Sequence, residues 1–188
     1  MRAGLLAWAL AGVLLAVGTP AFEGTSTALA DERASRKIGP SSGLPLPRYV
    51  SLKSDRVNLR KGPGTQYPTA WVFRRAGWPL EVVEEFEGWR QVRDADGTTG
   101  WVLQAFLSGR RTALVLPWEL KTKRAAPVHA ALRGSDRSES DTVALVEAGV
   151  TADIMNCSGR WCSVTVMGHS GWIEQSKLWG VYPGEVIE

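Results

Sequence analysis

Few side chains in this sequence could do chemistry. Its 188 residues contain two His and two Cys, too few for a metal centre of several His or Cys ligands or for a disulfide-framework fold. Neither His129 nor His169 has a nucleophile motif or an acidic orienting residue near it in sequence, so the pairing that activates a Ser or Cys is missing. Glu81, Glu84, Glu85 and Glu87 offer the carboxylates that glycoside hydrolysis uses in pairs. Alternation along a strand splits them between two faces, however, and a charged exterior is the plainer expectation. Gly62-Pro63-Gly64 lacks the Lys-Ser/Thr and the following helix of a phosphate-cradling loop. Nothing calls for a metal or a cofactor, and the chain reads as a non-enzyme. Cys157 and Cys162 bracket Ser158-Gly159-Arg160-Trp161, a spacing that sets them opposite each other on adjacent strands within reach of a disulfide. A redox-active pair is the alternative, against which stand the spacing, which is not Cys-x-x-Cys, and the lack of a βαβ context.

What the chain has in abundance is Trp, nine in all, within a composition 44% hydrophobic and 22% charged. That composition is globular rather than disordered. The 22 Lys and Arg against 19 Asp and Glu give a formal charge of +3. They are evenly spread, so no nucleic-acid groove is expected despite a pI near 9.1. Arg2 followed by an apolar run over 3–17 and by Gly18, Thr19 and Pro20 reads as a cleaved signal peptide, residues 1–30. The run is shorter than the roughly 20 residues of a membrane-spanning helix. Cleavage after Ala30 and after Ala21 both fit; an uncleaved anchor is the alternative. A periplasmic or secreted location follows, where two nearby Cys oxidise. Residues 31–48, rich in Pro, Ser and Gly towards their end, have the composition of a flexible linker.

The rest repeats itself at an offset of 72 residues: Arg75-Ala76-Gly77 returns as Glu147-Ala148-Gly149, and Gly88-Trp89-Arg90-Gln91-Val92 as Arg160-Trp161-Cys162-Ser163-Val164. One residue of slippage later, Gly100-Trp101-Val102 returns as Gly171-Trp172-Ile173. The repeat defines a first domain over 49–109 and a second over 120–180, joined by 110–119 and followed by a tail over 181–188. Short alternating runs separated by Gly-containing turns read as strands throughout, with no helical periodicity beyond about one turn. Glu85 and Arg90 occupy the places of the two Cys, so an ion pair stands there for the disulfide. The joining segment carries Leu114, Val115, Leu116 and Trp118, too apolar for a solvated linker. It is expected to pack between the two units, each of which is marginal alone at about 60 residues.

The run Val57-Asn58-Leu59-Arg60-Lys61-Gly62-Pro63-Gly64-Thr65-Gln66-Tyr67, followed by Arg75-Ala76-Gly77, Gly88-Trp89, Asp96-Gly97 and Gly100-Trp101-Val102, resembles the bacterial SH3-like domain, and the tandem is similar to small exported SH3-domain proteins of Gram-negative bacteria. The resemblance implies an all-β fold of two tandem small SH3-like β-barrels packed through the apolar connector. The second unit departs from the pattern in its opening loop, with Val128-His129-Ala130-Ala131-Leu132-Arg133-Gly134. In some members of the family, aromatic residues near this loop and the Gly-Trp hairpin border a groove that receives cell-wall peptide. Carried over by position, that implies Tyr67, Trp71, Trp89 and Trp101 as ligand-binding residues, with Trp161 and Trp172 as second-domain candidates; core filling is the competing role for each. The partner implied is a peptidoglycan peptide or an envelope protein. The alternative is a structural adaptor in a periplasmic complex with no cell-wall ligand.

Overall fold

The computed structural model describes residues 37–122 and 126–188; the expected signal peptide lies outside them. The first half contains β1 (Lys37–Ile38), β2 (Pro45–Leu46), β3 (Arg48–Leu52), β4 (Val57–Arg60), β5 (Thr69–Phe73), β6 (Pro79–Phe86), β7 (Trp89–Arg93), β8 (Thr99–Leu103) and β9 (Leu107–Ser108). The second contains β10 (Thr112–Val115), β11 (His129–Arg133), β12 (Thr142–Glu147), β13 (Thr151–Ser158), β14 (Trp161–Val166), β15 (His169–Glu174), β16 (Leu178–Trp179) and β17 (Val186–Ile187). Three short 3-10 turns complete the described elements.

Strand order is β5-β4-β8-β7-β6-β3-β9 in one sheet and β12-β11-β15-β14-β13-β10-β16 in the other, with β17 added against β13. The two orders are the same arrangement used twice, so the expected pair of small all-β barrels is what the chain forms. The repeat reaches the irregularities. A bulge falls between Leu59 and Arg60 and again between Leu132 and Arg133, and a second between Val82 and Glu84 and between Ile154 and Asn156. Each barrel has its own core, Val57, Leu59, Leu80, Val82, Val92 and Val102 in the first and Ala113, Val115, Leu132, Val164 and Ile173 in the second. The interiors are thus filled largely by aliphatic side chains, joined by Phe73 in the first and by Cys157 and Cys162 in the second.

Two expected boundaries need correction. Residues 112–115 of the supposed connector are β10, buried at all four positions and paired with β13 and β16. They occupy the place of β3: the amide of Leu52 donates to the Trp78 carbonyl and that of Gly77 to Leu52, just as Val115 donates to Val150 and Gly149 to Val115. The second barrel therefore begins before residue 120. Thirteen residues separate β10 from β11 where four separate β3 from β4, so a constant offset of 72 skips this strand. The second correction concerns the linker. Its described part forms the β1–β2 hairpin, and Leu46 is 3% exposed in the first core.

The barrels meet through side chains rather than through a connector. The Tyr49 ring lies edge-on to Trp179 at 5.2 Å and against Tyr182 at 4.7 Å, with the Arg111 guanidinium 5.8 Å from its centre. The Tyr182 hydroxyl donates to Glu81 at 2.9 Å. Burial, reinforced by Glu81, pushes both tyrosine hydroxyls above their ordinary pKa. The tail is no loose end, since Arg111 grips Glu185 with two bonds of 2.9 Å and the Gln175 amide donates to the Glu185 carbonyl at 2.8 Å.

Cys157 and Cys162 face each other across β13 and β14 and form a disulfide. Both are buried. The loop it closes is short, so its removal costs only about 2 kcal/mol in chain entropy. We expect a reductant to lower the urea midpoint of the protein by the equivalent of that amount, and Cys157→Ala/Cys162→Ala to reproduce the loss without further effect of reductant.

Candidate ligand-binding face

The first barrel's opening loop is tied down by Arg60, whose guanidinium donates to the carbonyls of Thr65 at 3.1 Å and Tyr67 at 2.7 Å. A Cβ on Gly62 would stand 2.4 Å from the Tyr67 ring, so glycine lets the ring lie on the loop's own backbone. Arg60 pairs in turn with Trp101, and Trp101 with Gln91 across the next ladder. One strand period along, Trp89 pairs with Leu103 and with Phe86. Alternation sends Arg90, Val92, Gly100 and Val102 inward and these residues outward. Trp89 and Trp101 keep part of their surface in solvent, and Tyr67 is 40% exposed. Register therefore brings Trp89 and Trp101 to one outer face, with Phe86 and Leu103, absent from the sequence-based set, beside them, and Arg60 next to Trp101 ties down the loop that carries Tyr67.

Trp71 is elsewhere. It sits opposite Leu59 on β5 and is 61% exposed, and it lines a separate cleft of about 280 Å³ with Phe73, Arg74, Arg75 and Trp78. The guanidinium of Arg75 is stacked 5.5 Å from the Trp78 ring centre. None of the other three candidates lines this cleft. Arg74, Arg75 and Trp78 were missed in the sequence, although two cations between two Trp within eight residues, matched by Glu147 in the repeat, were the available signal.

The second barrel does not duplicate the face. Arg133 keeps the role of Arg60, pairing with Trp172 and donating to a loop carbonyl at 2.8 Å, but that carbonyl belongs to Ser140. Ala144, opposite Leu132, stands where Trp71 stands. Trp172 is half-buried, whereas Trp161 is 4% exposed and offers no face to a ligand. Trp161 is thus a packing residue and is corrected accordingly.

The acidic cluster also differs from the expected charged exterior. Glu84 and Glu87 are exposed, but Glu81 and Glu85 are buried. Glu81 accepts from Arg93 at 2.8 Å. Glu85, paired across the strands with Arg90 as the sequence implies, accepts from Ser42 Oγ at 2.6 Å, Arg48 at 2.7 Å and the amides of Ser41 at 3.0 Å and Ser42 at 2.9 Å. Arg90 stands 3.3 Å away. Burial alone would raise its pKa, but the donors from Ser42, Arg48 and the Ser41 and Ser42 amides outweigh it and hold the carboxyl down at about 2. These groups serve as structural ties. Among the described residues no group of three His, Cys, Asp or Glu is placed to hold a metal ion.

What the arrangement can do chemically is bind: it presents flat aromatic area with polar edges on a rigid sheet. No curated protein matches the chain. Among solved structures it is similar to NlpC1 and NlpC2 from Trichomonas vaginalis, at 14% and 12% identity, covering 75% and 71% of this chain and 48% of each of those, both with TM-scores of 0.31. A NlpC/P60 family protein from Bacillus cereus is similar at 10% identity, with 70% of this chain and 55% of that chain covered and a TM-score of 0.30. The chain spans about half the length of these proteins. The bacterial SH3 domain family matches twice, over residues 53–109 and 126–180. With more than half of its length matched in tandem, this chain belongs to the bacterial SH3 domain family.

Proposed function

We propose that the protein is a non-enzymatic, exported binding module that takes a peptide ligand of the cell envelope, a peptidoglycan peptide or an envelope protein, on the outer face of its first barrel. The observation that carries this reading is that, although Phe73 and Trp78 join the aliphatic side chains of the first core, Trp89 and Trp101 on the sheet face and Tyr67 on the opening loop stand partly in solvent. Large rigid aromatic area not consumed by packing is the composition of binding anchors. The second barrel, with Ser140 and Ala144 where the first has Tyr67 and Trp71, serves chiefly as a brace for the first. A second reading, an adaptor without a cell-wall ligand, draws on the burial of Tyr49, Trp179 and Tyr182 between the barrels.

Sedimentation with purified sacculi separates the two. We expect the protein to pellet with them, and Trp89→Ala/Trp101→Ala to weaken the association at least tenfold while leaving the near-ultraviolet signature of the second barrel in place. Wild-type protein that stays in the supernatant removes the cell-wall reading and favours the adaptor.

A further inference from the structure

We propose that the Trp71–Trp78 cleft of the first barrel is a second site, which receives a carboxylate of an extended acidic peptide laid along β5. The inference rests on the peptide-binding reading above and adds the chemistry of the ligand.

Charge is the first argument. Arg74 and Arg75 are both exposed, and among the described residues neither makes an ion pair or a side-chain hydrogen bond; the only partner of Arg75 is the Trp78 ring. Four other arginines of this barrel are engaged, Arg48 and Arg90 with Glu85, Arg60 with loop carbonyls and Arg93 with Glu81, whereas exposed Arg56, just before the Val57 that pairs with Phe73, adds a further cation beside Arg74 with no ion pair or side-chain hydrogen bond among the described residues. Two unpaired guanidinium groups beside two Trp walls form a site for a planar anion carried on an apolar stem, since guanidinium matches a carboxylate in a two-bond fork.

The repeat supplies an internal contrast. The corresponding corner of the second barrel carries Glu147 at the place of Arg75 and Val150 at the place of Trp78, and its cleft of about 300 Å³ is lined by Glu119, Leu120 and Glu147. Leu120 lies over Gly149 there. The same fold therefore bears opposite charge at the same corner, so the barrel scaffold does not require the two arginines.

Backbone geometry points to a peptide rather than a free anion. Among the described residues β5 is the terminal strand of its sheet and pairs only with β4. Its outer edge presents unpaired backbone donors and acceptors beside Trp71 and Val72, the arrangement to which an extended segment adds as a further strand.

The test titrates the full chain with the blocked pentapeptide Thr-Val-Glu-Val-Glu and with its Thr-Val-Gln-Val-Gln counterpart, read by Trp fluorescence and calorimetry. We expect the acidic peptide to bind at least tenfold more tightly. The preference should vanish in Arg74→Gln/Arg75→Gln, fall in Trp71→Ala and persist in Glu147→Gln, with unchanged melting temperatures because the replaced groups are exposed. Equal binding of the two peptides, or an undiminished preference in the double arginine variant, overturns the proposal. So does competition by inorganic phosphate at equal concentration, which would mark a simple anion site. Concentration-dependent self-association that the arginine substitutions abolish would make the occupant a second copy and defeats it too. Sacculus binding is scored separately: protein that ignores sacculi yet keeps the charge preference defeats the broader reading and leaves this one standing.

Discussion

Replacing Glu85 with Gln lowers the stability of the protein by roughly 3 kcal/mol at pH 7, and the loss shrinks as the pH falls below about 4.5. The carboxylate is 5% exposed and gathers the Ser41 and Ser42 amides, the Ser42 hydroxyl and the guanidinium groups of Arg48 and Arg90. These donors hold its pKa near 2 against an ordinary value of 4.5. At about 1.4 kcal/mol per tenfold, that difference is roughly 3 kcal/mol. The sign follows from a folded pKa below the unfolded one: the stabilisation is complete above about pH 4.5 and is lost progressively as pH falls towards 2. Urea unfolding of both proteins between pH 7 and pH 2 checks this, and a difference between them that stays constant to pH 2 would sink it. The substitution should also loosen the β1–β2 hairpin. The hairpin is wrapped around this carboxylate, for a Cβ on Gly39 would stand 2.5 Å from it.

Glu85 also shows where reading the sequence succeeded and where it stopped. Its pairing with Arg90 at the place of the Cys157–Cys162 disulfide followed from the repeat alone, because aligned hairpins put aligned residues opposite each other. The donors from Ser41 and Ser42 did not follow. They come from more than forty residues away, in a stretch whose Pro, Ser and Gly content locally favours a linker, and only a tertiary demand turns that composition into a hairpin with Leu46 in the core. β10 was hidden differently. Its apolar character was plain, but the long excursion after it broke the offset of 72 by which the Gly88–Val92 hairpin was matched to Arg160–Val164.

The aromatic face was legible to the same extent. Trp89 and Trp101 project outward because alternation along β7 and β8 fixes their direction once Val92 and Val102 are known to be core. Trp71 departs from the rule, for it shares the face of Leu59 and Phe73, both in the core, yet is 61% exposed and lines a different cleft. Repeat position did not distinguish Trp89 from Trp161, since equivalent backbone places carry unequal exposure. Burial there depends on surroundings that differ between the barrels.

The Gly-Trp dipeptide occurs three times in the first barrel, at 77–78, 88–89 and 100–101, and we expect Gly88 and Gly100 to respond very differently to substitution. Gly100→Ala should cost roughly 3 kcal/mol. Its Cβ would stand 2.6 Å from Leu59 Cγ and 2.9 Å from the Arg60 carbonyl oxygen, and neither has room to retreat. Leu59 is 1% exposed in the core, and Arg60 is fixed in the ladder beside Trp101. Gly88→Ala should change stability by no more than about 0.5 kcal/mol, for a Cβ there meets only Leu103 Cδ1 at 3.8 Å. The second barrel has made the corresponding choices. Gly171 is retained opposite Gly100, with its own Cβ position 2.6 Å from the Arg133 carbonyl, while Arg160 replaces Gly88. The left-handed residue of this hairpin is the one before, Glu87 at φ 49° in the first barrel and Gly159 at φ 91° in the second. Gly100 is therefore the glycine that lets β4 and β8 approach closely enough to set Arg60 against Trp101. Thermal unfolding of Gly88→Ala, Gly100→Ala and Gly171→Ala should place the first within a few degrees of wild type and the other two far below it. Equal losses at Gly88 and Gly100 would assign the motif to turn formation instead of strand approach.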